Sequence, residues 1–190
     1  MNQMSVPETA EKIKKMEIRG AGRIARAAAV ALRDHAISLE ANDLPAFTAE
    51  MERAAKILVA TRPTAVSLPN AVHIVMAGLD GAKTVEGARE TVAGRADWFI
   101  QSSKNAVENI AQFGARHIRD GDTILTHCNS EVALGCIIEA HRSGKDLEVF
   151  ATEVRPRNQG HITIRTLNDA GIRTNFIVDS AVRSFINDVD

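Results

Sequence analysis

Cys128 stands where a thiol could react with a ligand. Residues 123–126 predict a short strand, and Asn129 and Ser130 are residues that commonly cap helices. Cys128 would therefore lie between the carboxyl end of a strand and the amino end of a helix, where parallel sheets bind ligands and thiolates are stabilised. Many free cysteines are instead buried structural thiols. The pattern leaves both roles open, and the reactive role predicts an anionic substrate held near Cys128 by arginines.

The neighbouring cysteine and histidine residues indicate structural roles. Cys136 stands among apolar residues of the helix predicted after Cys128, which favours a place in the core. His127 alternates with Cys128 along the strand and would point to the other face of the sheet. Two cysteines are too few for a disulfide framework, and their spacing matches no common zinc site. The sequence therefore predicts no metal site.

A pair of arginines near the amino terminus could bind a phosphate. Arg19 and Arg23 lie four residues apart, on one face of a predicted helix, and Gly20 lets the backbone approach a ligand closely. Guanidinium groups and backbone amides at a helix entry suit an anion. Arg26 and Arg33 continue the same face, however, and on pattern alone this favours a solvated arginine stripe.

Two further segments concentrate hydrogen-bond donors. Arg62 precedes a proline, which holds it in extended backbone and fixes its direction, although the same dipeptide occurs in ordinary turns. Residues 153–160 follow the second predicted strand, at the same sheet edge as Cys128. Arg155 and Gln159 of this segment could bind an anion there, or the segment could be an ordinary exposed loop.

The order of predicted elements indicates an α/β chain with two parts. Residues 7–118 carry helical signals, including a capping signature at Ser5 and Glu8 and a second cap at Asn42 and Asp43. After residue 121, short apolar strands alternate with helices. The predicted strands are residues 123–126, 147–152 and 173–178, and a further helix is predicted to begin at Ser180. Short links between strands and helices imply parallel pairing with right-handed crossovers. We expect an all-helical domain at residues 1–118, followed at residues 119–190 by an incomplete Rossmann-like parallel sheet with flanking helices.

The last residues suggest an interrupted sheet. Residues 187–190 have the composition of a lead into a fourth strand. Three parallel strands alone would leave one edge or face poorly covered. The expectation is therefore a chain truncated at its carboxyl end, or an edge that a partner covers.

Composition narrows the class of protein. Hydrophobic residues make up 45% of the sequence and charged residues 25%, which is typical of a globular protein. A formal net charge of −1 provides no basic field for nucleic acid. No apolar run approaches ~18 residues, so no membrane span is expected. The first residues lack a signal-peptide core, which predicts a cytoplasmic protein.

Four segments together resemble a known family. They are residues 19–26, 62–66, 126–130 and 155–160, and the similarity extends from about residue 13 to the last residue. The family unites sugar-phosphate aldose–ketose isomerases with the regulatory subunits of translation initiation factor 2B. The resemblance implies a helical domain, then a Rossmann-like domain, with the site between them. It also implies that Cys128 acts as an acid/base with an aspartate, and that phosphate or sugar is contacted by Arg19, Gly20, Arg62, Arg155 and Gln159.

Within this family the sequence is most similar to an archaeal branch that acts on a sugar bisphosphate. The implied reaction is ribose 1,5-bisphosphate to ribulose 1,5-bisphosphate in nucleoside and AMP salvage, without a metal or redox cofactor. The implied assembly is a dimer, or a hexamer built as a trimer of dimers. A noncatalytic regulatory subunit, an inactive fragment and an isomerase of methylthioribose 1-phosphate remain alternatives.

The sequence departs from the family at its end. The family's catalytic aspartate belongs to a Gly-Ala-Asp motif after a further strand, beyond residue 190. Asp188 and Asp190 do not stand in such a motif. The carboxylate partner of Cys128 is therefore expected outside this sequence.

Overall fold

Within residues 4–115, every regular element is helical, as the sequence predicts. The computed structural model describes residues 4–190. Its first elements are α1 (Val6–Lys14), α2 (Ala21–Ser38), α3 (Leu44–Thr61), α4 (Ser67–Met76), a 3-10 turn (Leu79–Gly81) and α5 (Val85–Ala115). The chain forms two compact units, of which the first ends at Lys104 and the second runs from Asn105 to Asp190. The domains predicted from sequence, residues 1–118 and 119–190, stay a proposal.

Local capping determines where the first helices begin. The Ser5 hydroxyl accepts the Glu8 N–H, and the Glu8 carboxylate accepts the Ser5 N–H at 2.8 Å. The Ser5 backbone N–H, followed by the Ser5 hydroxyl, holds the pKa of Glu8 below its usual value. Asp43 caps α3 by accepting the Ala46 N–H at 2.8 Å. Both predicted caps are confirmed.

Small residues on α2 allow close helix packing in the first unit. Ala28 and Leu32 of α2 are fully buried, together with Phe47 and Leu58 of α3. Alanine adds little side-chain bulk, so neighbouring helices approach α2 closely. α3 ends at Thr61, just before the Arg62-Pro63 dipeptide, because proline cannot supply the next helical N–H. The core of this unit therefore fixes where the turn at Arg62 lies.

The second unit contains the predicted parallel sheet. Its strands are β1 (Thr123–Thr126), β2 (Glu148–Thr152) and β3 (Arg173–Ile177), in the order β1-β2-β3 and all parallel. The crossovers contain α6 (Glu131–Arg142) and α7 (Gly160–Asp169). The prediction of an α/β chain with a helical first part and a parallel sheet is confirmed. All three strands end at the same edge of the sheet.

The chain after β3 departs from the simple helix that the sequence predicts at Ser180. It forms a 3-10 turn (Asp179–Ala181), the short helix α8 (Val182–Phe185) and another 3-10 turn (Ile186–Asp188). Residues 187–190 form no strand in the structure. Instead, the Asp190 N–H donates to the Thr123 carbonyl at 3.1 Å, and the Thr123 N–H donates to the Asp190 carboxylate at 3.0 Å. The last residue therefore contacts the outer edge of β1.

Cys136 lies half-buried where α6 packs against the end of α5. Its Sγ donates to the Ile110 carbonyl at 3.5 Å, and burial raises the pKa of the thiol. A Cβ at Gly114 would lie 2.3 Å from the Cys136 Sγ and 3.1 Å from its Cβ. The missing side chain of Gly114 is therefore what lets the two helices approach here.

We predict that Gly114→Ala lowers the free energy of unfolding by about 1–3 kcal/mol, because the added methyl group overpacks this contact. Urea denaturation measures the change. Gly94→Ala is the matched control on the same helix, since a Cβ there meets nothing within 4 Å. Alanine should stabilise that site by roughly 0.5–1 kcal/mol. Equal effects of the two substitutions on the free energy of unfolding would contradict the packing argument. Combining Cys136→Ala with Gly114→Ala should restore part of the lost stability.

Candidate functional site

The loop after β1 presents Cys128 at the carboxyl edge of the sheet. Cys128 is half-buried and follows the strand by two residues. Ser130 caps α6 by accepting the Ala133 N–H at 3.3 Å. The predicted position of Cys128, between a strand end and a helix start, is confirmed. Its φ of 68° is left-handed, a conformation that non-glycine residues rarely adopt and that often occurs at functional sites.

A buried threonine of α7 holds this backbone in place. The Thr163 hydroxyl donates to the Cys128 carbonyl at 2.7 Å and accepts from the Asn129 side-chain amide at 3.1 Å. Thr163 is fully buried, so these bonds are shielded from water. Sequence reasoning missed Thr163, because only the packing of α7 against the β1 loop reveals it.

His127 connects the ends of two strands. Its side chain is exposed, and its Nδ1 lies 2.6 Å from the hydroxyl of Thr152, the last residue of β2. β1 ends at Thr126 and Cys128 has a left-handed φ, so strand alternation does not extend to this pair, and the structural role of His127 stays a prediction.

The loop after β2 carries Arg155 and Gln159. The Arg155 side chain is exposed, and its Nε donates to the Glu153 carboxylate at 2.7 Å. The two terminal nitrogen atoms of a guanidinium carry four further N–H groups that can bind an anion. Gln159 is half-buried at the start of α7. The peptide bond between Arg155 and Pro156 is cis.

Gly160 brings α7 directly against the end of β2. A Cβ at this position would lie 2.0 Å from the Thr152 carbonyl oxygen and 3.0 Å from the Glu153 Cα. Only glycine fits, because both neighbouring atoms belong to the backbone. The close approach fixes where the segment between β2 and α7 begins and ends.

Asp179, which sequence reasoning did not single out, follows β3 at the same edge. Its carboxylate accepts the backbone N–H of Val154 at 2.7 Å and of Arg155 at 2.8 Å. The Arg155 and Val154 N–H groups, in that order, lower the pKa of Asp179, and nearby His127 and Thr152 lower it further. The position of Asp179 just after a parallel strand was the available signal.

In the first unit, the predicted anion-binding residues lie around the start of α2. Arg19 precedes the helix, so the prediction that it shares a helical face with Arg23 is wrong, and its Nε donates to the Met16 carbonyl. Gly20 is half-buried with a φ of 87°, and a Cβ there would meet nothing within 4 Å. Arg23 is exposed on the first turn.

Arg62 belongs to the turn that leads to α4, where it is half-buried. The Ser67 hydroxyl donates to the Ala21 carbonyl at 3.1 Å, which brings the start of α4 beside the start of α2. The predicted arginine segments at residues 19–26 and 62–66 therefore lie at the neighbouring starts of α2 and α4.

The arginines that continue the face of Arg23 contact α5. Arg26 donates to the Ser103 hydroxyl at 3.2 Å, and Arg33 lies 2.7 Å from the Asp97 carboxylate. The hydrogen bond to Asp97 is the main reason that the pKa of Arg33 is raised. A solvated stripe therefore does not describe this part of α2.

Two negative findings concern residues 4–190. No group of three or more His, Cys, Asp or Glu side chains in this range is arranged to hold a metal ion. No helix in the same range is long and apolar enough to cross a membrane.

Comparison with known proteins identifies relatives over nearly the whole chain. The family model described as "Initiation factor 2 subunit family" matches residues 17–190. A protein of Methanocaldococcus jannaschii named ribose 1,5-bisphosphate isomerase is 54% identical over 100% of this chain and 61% of its own length. The chain spans about three fifths of the length of this relative and of two other archaeal proteins with the same name.

Solved structures of two relatives are similar in fold. A Pyrococcus horikoshii OT3 translation initiation factor eIF-2B has a TM-score of 0.84 at 27% identity and covers 97% of this chain and 63% of its own. The 5-methylthioribose 1-phosphate isomerase of the same organism has a TM-score of 0.82 at 27% identity, over 97% of this chain and 55% of its own.

Proposed function

The chain belongs to the initiation factor 2 subunit family, and from that premise we propose that it is part of a sugar-phosphate aldose–ketose isomerase. The proposed reaction converts ribose 1,5-bisphosphate to ribulose 1,5-bisphosphate, as a step of nucleoside and AMP salvage. The observation that carries the proposal is the 54% identity, over the whole chain, to a protein named for that isomerisation.

The proposed chemistry is a balanced rearrangement. The bond between C1 and the ring oxygen breaks, the hydrogen on C2 moves to C1, and the C2 hydroxyl becomes a carbonyl as its proton passes to the ring oxygen. Substrate and product are isomers, so no external oxidant or reductant is consumed. Cys128 is the proposed acid/base group, and its place at the carboxyl edge of the sheet, in the loop between β1 and α6, supports this role. A carboxylate from outside residues 1–190 would carry out the complementary proton transfer.

The arginines are the proposed phosphate ligands. Arg155 offers the N–H groups of its terminal nitrogen atoms, and Gln159 adds an amide at the start of α7. Arg19, Arg23 and Arg62 of the first unit are assigned the same kind of role. Gly20 would let its backbone approach the ligand closely, because it carries no side chain. A bisphosphate carries two strongly anionic groups, which matches a site rich in guanidinium.

We also propose self-association, as a dimer or a trimer of dimers. Support comes from α5, where the large apolar side chains of Trp98 and Phe113 are 62% and 61% exposed. Apolar side chains of this size favour burial against another protein surface. Light scattering at several protein concentrations measures the mass, and a monomer at every concentration would contradict the proposal.

A second candidate is a regulatory subunit without catalytic activity. The fold similarity to an eIF-2B protein supports this candidate, since the same fold then serves a noncatalytic binding role. Such a subunit has less need of a cysteine at the end of a strand. The two candidates differ in whether a sugar phosphate is turned over.

The test is ketose formation by the natural full-length protein. Ribose 1,5-bisphosphate is incubated with the protein, and ¹³C NMR follows the appearance of a C2 carbonyl. The isomerase proposal expects ribulose 1,5-bisphosphate without added redox cofactor. Tight binding of a sugar phosphate with no ketose product would favour the regulatory candidate.

A further inference from the structure

We infer that Asp179 is a positioning residue, which fixes the loop of residues 153–159 so that Arg155 can bind an anionic group of the substrate. This inference rests on the proposed function, because it assigns Arg155 to phosphate binding. Asp179 follows β3 and does not itself need to touch the substrate. We call residues 153–159 the Arg155 loop.

Strand register brings Asp179 to the Arg155 loop. Thr152 pairs with Ile177 at the ends of β2 and β3. The Glu153 N–H continues this ladder by donating to the Ile177 carbonyl at 2.9 Å. Val154 and Asp179 each lie two residues beyond their strand ends, so they come to adjacent positions. The contact is therefore a consequence of the sheet.

Asp179 holds the loop at its most unusual residue. Val154 has a φ of 62°, which is rare for a β-branched side chain. In this conformation the successive N–H groups of Val154 and Arg155 point at one anion, and each binds a different oxygen of the Asp179 carboxylate. These two charge-assisted bonds, together with the Asn158 N–H that donates to the Val154 carbonyl at 2.8 Å, keep the backbone there.

Holding the backbone of Arg155 also directs its side chain. The Glu153 carboxylate, only 15% exposed, binds the Arg155 Nε, while the arginine side chain is 70% exposed. With its Cα fixed by Asp179 and its Nε fixed by Glu153, the outer edge of the guanidinium faces solvent in a defined direction. Such a preset arrangement lowers the entropy lost when a phosphate binds.

Asp179→Asn is the test variant, since it keeps the shape of the side chain and replaces one acceptor oxygen by a donor. Hydrogen exchange of the Val154 and Arg155 amides is the direct measurement, and it does not depend on turnover. We expect exchange at these amides to be faster by about tenfold or more, and affinity for inorganic phosphate to fall by a similar factor. Asp169→Asn, at the exposed end of α7, is the control with the same charge change and should alter neither.

Coupling to Arg155 separates positioning from general stability. If Asp179 acts through Arg155, then Asp179→Asn combined with Arg155→Gln should bind phosphate no more weakly than Arg155→Gln alone. Additive losses would indicate a merely structural role and overturn the inference. Unchanged amide exchange in Asp179→Asn would overturn it as well.

A further variant keeps the test decisive if Asp179→Asn unfolds. Val154→Gly removes the backbone strain, because glycine readily adopts a positive φ. In that background Asp179→Asn should remain folded and still weaken phosphate binding, and unchanged affinity would contradict the inference. Failure of the proposed function can be told apart from failure of this inference. In the first case the unaltered protein forms no ketose, but amide exchange and phosphate affinity still report on the role of Asp179.

Discussion

Replacing Cys128 by serine is expected to lower kcat for ketose formation by ~10²–10⁴-fold. Serine has a similar size and can accept the same hydrogen bonds, but its hydroxyl is a far weaker acid than a thiol. KM should change little, because phosphate binding is assigned to other residues. Steady-state kinetics of the natural full-length protein with ribose 1,5-bisphosphate measure both quantities.

Cys136→Ser is the matched control for this prediction. The same atom changes, but Cys136 lies half-buried between α5 and α6, away from the carboxyl edge of the sheet. Turnover of this variant should stay close to that of the unaltered protein. Near-normal turnover of Cys128→Ser would contradict the assignment of Cys128 as the acid/base group.

Gly160→Ala is expected to destabilise the second unit by about 3 kcal/mol or more. The added Cβ would lie 2.0 Å from the Thr152 carbonyl oxygen, 2.9 Å from Phe176 and 3.0 Å from the Glu153 Cα. Backbone atoms cannot rotate away as a side chain can, so α7 and β2 must separate. The Arg155 loop joins these two elements, and phosphate affinity should therefore fall as well.

Urea denaturation monitored by circular dichroism measures the loss of stability. Gly81→Ala is the control, since a Cβ there would meet nothing within 4 Å. It should leave the unfolding midpoint nearly unchanged. A Gly160→Ala protein with unaltered stability would mean that the contact between α7 and the end of β2 is not close.

The features that the sequence predicts correctly are those determined by local chemistry. Ser5 and Asp43 begin helices because their side chains bind N–H groups three residues ahead. Alternation of strand and helix after residue 121 is sufficient to predict a parallel sheet. The same local reasoning places Cys128 at the junction of β1 and α6.

The features that sequence reasoning missed depend on register and packing. Asp179 binds the Arg155 loop only because β3 pairs with β2 so that Thr152 lies opposite Ile177. Thr163 binds the Cys128 carbonyl only because α7 crosses back over the β1 loop. Neither relation is visible as spacing along the chain. The broken helix after Ser180 was missed for a different reason, since its short turns carry no helical period.

Direct competition between two sugar phosphates tests the central claim. Equal concentrations of ribose 1,5-bisphosphate and methylthioribose 1-phosphate are mixed with the natural full-length protein, and ³¹P NMR follows both at once. The ratio of their rates then equals the ratio of their kcat/KM values. We predict that ribose 1,5-bisphosphate is consumed at least about 10²-fold faster than methylthioribose 1-phosphate. The latter has one phosphate, so the arginines that would bind a second phosphate stay unpaired. Ketose formation from methylthioribose 1-phosphate alone would contradict the account.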